Sequence, residues 1–260
     1  MKTQNLGFIG GGRITRIFLQ AFKNKSLNFK SIVVYDPNNE TLTTLKKQFP
    51  EIQITDSALT PASKELVILA VHPPMMMETL NNIKEVIAKD ALILSLAPKI
   101  SIAKMSETLG SSSIIRMIPN ATSFINKGYN PVSFHPSISK NEKQFFIETF
   151  KALGNTFEVN ESKLEAYALV SAMLPTYFWF QWKELQDIGV QMGLDEKESK
   201  ETLKETLIAA IEIFYSAGLS NDEVIDLIPV KPIGEDENQI KEVFQTKLMG
   251  LFAKIKPSIV

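Results

Sequence analysis

Short apolar runs alternate with amphipathic stretches through the first 159 residues. Residues 6–9 are an apolar run that ends at once in Gly10-Gly11-Gly12. Residues 14–22 then carry Ile14, Ile17, Phe18, Ala21 and Phe22 at helical spacing. Further apolar runs stand at 31–35 (SIVVY), 65–71 (ELVILAV), 91–96 (ALILSL), 114–117 (IIRM) and 155–159. Helical patterns fill the gaps at 40–49, 75–87, 102–109 and 141–153. The runs lack polar alternation, so they read as strands buried on both faces, and the alternation predicts a parallel sheet with helices on both sides.

Beyond Val159 the period changes. No further strand pattern occurs, and helices are predicted over 162–173, 176–192, 196–216, 221–227 and 238–255. The expected fold is α/β: an N-terminal Rossmann-type parallel sheet over residues 1–159, followed by an all-helical C-terminal domain over 160–260.

Composition narrows the partners. The 260 residues carry a formal net charge of −1, which gives no basic field for nucleic acid or an anionic membrane. With no cysteine, disulfides, thiol chemistry and Cys-zinc sites are excluded. The two histidines, His72 and His135, are far apart, so no metal site is expected. The N-terminus runs straight into a strand, unlike a secretory signal, and no apolar run reaches the roughly 18 residues of a membrane helix. A cytoplasmic protein acting on a small molecule is the expectation.

The candidate chemistry begins at the glycine turn. Gly10 suits a tight turn after the first strand. A bare Gly12 lets backbone amides approach a pyrophosphate at the positive end of the helix that Arg13 and Ile14 open. Thr15 stands where the dinucleotide fingerprint has its third glycine, a position that serves helix–strand packing. Asp36, at the end of the second strand, is placed either to hold the adenosine ribose or to start the turn at Pro37. No arginine adjoins it, yet Asn38, Asn39 and Thr41 offer hydrogen bonds to a 2′-phosphate, so NAD and NADP both stay open.

Several segments resemble the pyrroline-5-carboxylate reductase family. They are Ile9-Gly10-Gly11-Gly12, Ile68-Leu69-Ala70-Val71-His72-Pro73 (the family has Ala-Val-Lys-Pro), Leu94-Ser95-Leu96-Ala97 (near its Ser-Ile-Ala-Ala-Gly) and Arg116-Met117-Ile118-Pro119-Asn120. Pro175-Thr176-Tyr177 is similar to its entry into the helical domain. The resemblance implies hydride transfer from reduced nicotinamide to the C=N carbon of a cyclic imine, in proline biosynthesis, by a homodimer interlocked through the C-terminal helices. It further implies that Val71, His72, Pro73, Ala97 and Asn120 line the nicotinamide.

Two departures fall on the implied substrate side. The family's Gly-Ser-Gly before the proline is Ala172-Met173-Leu174 here, so Met173, Leu174 and Pro175 fill space where amides would meet a carboxylate. Its Pro-Gly-Gly-Thr-Thr loop is Pro232-Ile233-Gly234-Glu235-Asp236, which sets Glu235 or Asp236 beside the imine in place of a neutral donor. Such a carboxylate can pair with an iminium or donate a proton, and it repels a substrate carboxylate. His72 reads as a titratable group near the cofactor or as a plain helix entry, and Arg116 as an anion site or an internal ion pair. Three functions follow in order: an imine reductase of this type, a reductase of a less anionic substrate, and a non-catalytic dinucleotide-binding protein.

Overall fold

The computed structural model describes residues 4–257. In chain order the elements are β1 (Asn5–Ile9), α1 (Arg13–Asn24), β2 (Ser31–Tyr35), α2 (Asn39–Gln48), β3 (Gln53–Thr55), α3 (Leu59–Ala62), β4 (Leu66–Leu69), α4 (Pro73–Ile83), β5 (Leu92–Ser95), α5 (Ile102–Leu109), β6 (Ile114–Met117), β7 (Gly128–Phe134), α6 (Lys140–Phe150), β8 (Gly154–Glu158), α7 (Leu164–Tyr167), α8 (Leu174–Gln191), α9 (Glu196–Ser216), α10 (Asn221–Asp226) and α11 (Glu237–Ile255). A π-helical turn, Ala168–Ala172, follows α7.

The strands form one sheet in the order β3-β2-β1-β4-β5-β6-β7-β8. Strands β4, β5 and β6 are buried at every position, which is why their sequences show no alternation. One face packs Phe8, Ile68 and Leu94 against Phe18 and Phe22 of α1 and Phe146 and Phe150 of α6. The other packs Ile9, Leu69 and Ile93 against Met76 of α4 and Met105 of α5.

The expectation of a purely parallel sheet is corrected at its far edge. β7 runs antiparallel to β6 with Arg116 opposite Ser133, and β8 is parallel to β7. β7 escaped notice because Asn130-Pro131 reads as a turn and proline usually demotes a strand. The ladder accommodates it because the Pro131 carbonyl still accepts from the Ile118 amide at 3.1 Å. The short β3 and α3 were missed as well, being three and four residues long.

The chain divides into two compact units after Ala172, not at Asn160: residues up to Ala172, with those from Phe252 onward, make the first, and Met173–Leu251 the second. Leu164 and Ala168 pack on Ile118, so residues 160–172 belong with the sheet. Among the described residues the second unit's regular elements are all helices, and no helix is long and apolar enough to cross a membrane.

Candidate dinucleotide site

The glycine turn sits where three strand ends meet. The Gly10 amide donates to Tyr35 at the end of β2 at 2.7 Å, and the Ala70 amide after β4 donates to Ile9 at 2.8 Å. Gly10 has φ 108°, and a Cβ there would lie 2.4 Å from the Ala70 carbonyl oxygen, so only glycine fits. A Cβ built on Gly12 meets no atom within 4 Å. Gly12 caps α1, so that open space faces the unpaired amides and positive pole of the helix. Thr15 does more than pack: its buried hydroxyl donates to the Gly10 carbonyl at 2.6 Å and ties the helix to the turn.

Two clefts meet at Gly12 and Arg13. One, of about 370 Å³, is lined by Arg13 and Arg16 on one side and Asn38, Glu40, Thr41 and Thr44 on the other. The second, of about 420 Å³, runs past Ile14 to Val71, His72, Pro73, Ala97 and Pro119. The groove therefore lies along the carboxyl ends of β1, β2, β4 and β5, with the glycine turn at its middle.

Several expected residues fall on this groove and others do not. Gly12, Arg13, Ile14, Val71, His72, Pro73 and Ala97 line it. His72 is exposed and caps α4 with its backbone alone. Asp36 stands beside the turn, but both its oxygens are engaged by backbone: Oδ2 accepts from the Gly11 amide at 2.8 Å and Oδ1 from the Asn38 amide at 2.9 Å. Asn120 is 5% exposed and turned inward. Its Nδ2 donates to the Ser171 hydroxyl at 3.0 Å, and its Oδ1 accepts from the Thr122 amide at 2.9 Å. Thr44 and Arg16 were not singled out from the sequence, although two arginines in the first turns of a helix oppose its dipole and so invite an anion.

The implied substrate residues lie in the second unit. Leu174 and Pro175 open α8, with Leu174 exposed, and Met173 precedes them half-buried. Gly234, Glu235 and Asp236 form an exposed 3-10 turn before α11. Burial raises the Tyr177 phenol above its ordinary value. Arg116 is resolved as an internal ion pair: 1% exposed, it donates to Glu161 at 2.8 Å and to Glu165 at 2.5 Å. His135 is half-buried, and its Nδ1 accepts from the Ser137 amide. Among the described residues no three His, Asp or Glu side chains cluster to hold a metal.

Residues 5–99 match the family described as NADP oxidoreductase, coenzyme F420-dependent. Over 218 residues the chain is 27% identical to pyrroline-5-carboxylate reductase of Haemophilus influenzae, covering 82% of this chain and 79% of that one. The enzyme of the same name from Methanosarcina acetivorans is 23% identical over 97% of this chain and 94% of its own length. The crystal structure of Plasmodium falciparum pyrroline carboxylate reductase with NADP bound superposes with TM-score 0.77 at 22% identity, covering 98% and 96% of the two chains. The first unit is thus a Rossmann-type fold, and the chain as a whole resembles the pyrroline-5-carboxylate reductase family, as its Arg-x-x-Pro-Asn and Pro-x-Tyr segments indicated.

Proposed function

We propose that this protein is an NAD(P)H-dependent reductase of the pyrroline-5-carboxylate reductase type, reducing the C=N bond of a cyclic imine in proline biosynthesis. The open space at Gly12, at the junction of two clefts and a helix start, carries the reading. Bound reduced nicotinamide supplies the hydride, and a proton must reach the imine nitrogen. Gly10 to Ile14 hold the diphosphate on backbone amides. Val71, Pro73 and Ala97 bound the nicotinamide end and exclude water from one of its faces. His72 on the cleft rim, and Glu235 and Asp236 from the helical unit, are the candidate proton donors. Met173, Leu174, Pro175 and Gly234 are the candidate substrate wall.

Two side chains favour NADPH over NADH: Arg13 and Arg16 line the lobe with Asn38 and Thr41, where a 2′-phosphate would rest. Asp36, committed to two amides, is less available to a ribose diol. Arg16 also lies 5.9 Å from the Phe124 ring centroid, which keeps Arg13 the better placed of the two.

The helical unit supports a homodimer. Trp179, Phe180, Ile211, Ile228 and Val230 are 49–72% exposed. A second copy of this chain packed on α8–α11 would remove that surface from water.

A second reading, reduction of a less anionic imine or carbonyl, rests on Met173, Leu174 and the Glu235-Asp236 pair, which place apolar bulk and negative charge where a substrate carboxylate would sit. The test is NADPH and NADH oxidation with pyrroline-5-carboxylate and with plain pyrroline. Turnover of the first supports the proposal, turnover of the second alone supports the less anionic substrate, and tight cofactor binding without turnover marks a non-catalytic binder. As control, Gly12→Val should lower cofactor affinity at least tenfold with melting unchanged, because its side chain meets only the diphosphate's space; wild-type affinity in that variant removes the phosphate turn from the argument.

A further inference from the structure

The loop between β5 and α5 forms one wall of the nicotinamide-side cleft through Leu96, Ala97 and Pro98. The next residue, Lys99, has φ 78°, a region that side chains other than Gly, Asn and Asp rarely adopt. Nothing in Lys99 itself favours that conformation, so its surroundings must impose it. They do so through a network centred on two buried side chains, Arg116 and Glu165. Glu165 Oε1 accepts from the Lys99 amide at 3.3 Å and from Arg116 Nη2 at 2.5 Å. Four residues earlier, Glu161 Oε1 accepts from the Ile102 amide at 2.7 Å and from Arg116 Nη1 at 2.8 Å. Arg116 and Glu165 are each 1% exposed, and Arg116 stands mid-strand in β6, between Ser95 of β5 and Ser133 of β7. One rigid guanidinium thus fixes two carboxylates, and each carboxylate pins one backbone amide of the same loop.

We infer that Arg116, Glu161 and Glu165 are positioning residues for the dinucleotide site: they clamp the Leu96–Ile102 loop in a strained left-handed turn and so hold the cleft wall in place. None of the three lines the cleft. They act through the loop, and the inference rests on the cofactor reading only for what the wall contacts.

The clamp is read first without cofactor. Amide hydrogen exchange in the cofactor-free full-length protein should rise across residues 96–102 at least tenfold in Glu165→Leu, while residues 10–15 keep their protection. Unchanged exchange in that loop overturns the clamp, whatever the wild type does with nucleotides. Its link to the site is read by NADPH affinity, from fluorescence titration. Glu165→Leu should weaken binding about tenfold, and adding Lys99→Gly to that variant should restore it to within about threefold, since glycine holds the turn without the carboxylate. If Glu165 serves only to neutralise Arg116, Lys99→Gly rescues nothing, and the inference fails. Should Glu165→Leu not fold, the exposed Lys99 carries the same test. Lys99→Val should weaken NADPH about tenfold because a β-branched residue resists φ 78°, whereas Lys99→Asn and Lys99→Gly should bind as wild type. Equal affinity of the Val and Asn variants, or loss in all three, overturns the positioning role. A wild type that binds no nicotinamide nucleotide overturns the proposed function instead, and the exchange result still decides the clamp.

Discussion

The two units bury their apolar residues to very different extents. In the first, Phe8, Phe18, Ile68 and Met105 are wholly buried, and the sheet closes both faces with its own helices. In the second, α8, α10 and α11 contain no buried residue among those described, and α9 contains only Ser199. The composition of the helices is not the cause, since α8 alone holds Tyr177, Phe178, Trp179, Phe180 and Trp182. A single copy of the first unit has what it needs to fold, whereas the second has apolar surface that one copy leaves in water. A phenylalanine is therefore worth different things in the two places.

The largest expected effect tests that difference directly. Phe18 is 0% exposed and its ring meets Phe8, Phe22 and Phe150 edge-on. Phe18→Ala should cost about 3–5 kcal/mol in denaturant unfolding, independent of protein concentration. Phe180 is 67% exposed, and Phe180→Asp should leave the unfolding of dilute protein nearly unchanged. Its effect should appear in assembly: the wild type should scatter light as a dimer and melt at a temperature that climbs with concentration, and the variant should do neither. A wild type that stays monomeric at high concentration breaks the comparison and the proposed homodimer with it. At the proposed dinucleotide groove a middle-sized effect is expected. Arg13→Ala should raise the KM for NADPH about tenfold and that for NADH by less than about threefold, a split of roughly 1 kcal/mol. Equal changes would place the 2′-phosphate away from Arg13.

The legibility of the sequence divides along similar lines. Where a pattern is local and continuous, expectation and structure agree to the residue, as in β2, α5, β6 and α9. The turn at Gly10 and Gly12 was legible because its demand falls on adjacent residues. What stayed hidden depends on partners distant in sequence. Arg116 meets acids 45 and 49 positions later, so strand context left an anion site and an ion pair equally open. Asn120 turns inward because Ser171, 51 positions on, takes its amide. Lys99 occupies a left-handed turn that its residue type gives no sign of, held by an acid 66 positions later. The helical unit was legible as helices and not as a packing, because its apolar residues run right round α8 and point to no single face.

The smallest effect refines the comparison with one motif used in both units. α6 and α10 open on the same capping box, Ser139 with Glu142 and Ser220 with Glu223. In each, hydrogen bonds from the serine hold the glutamate below its ordinary value of 4.5. A carboxyl whose folded pKa is lowered stabilises the fold above the unfolded pKa and loses that contribution as pH falls through the folded value. Glu142→Ala should therefore cost about 0.5 kcal/mol near neutral pH, the low end for an exposed cap, and the difference from wild type should shrink as pH drops below 4.5. α6 buries Phe146 and Phe150 in the main core, so the loss should appear in global unfolding. α10 buries nothing among its described residues. Glu223→Ala should thus follow the same pH course only locally, as faster amide exchange within residues 221–226, with global melting of dilute protein unmoved. Matching shifts in global melting for the two variants would mean that α10 is as firmly coupled to a core as α6, and the contrast between the units would fail at its weakest helix.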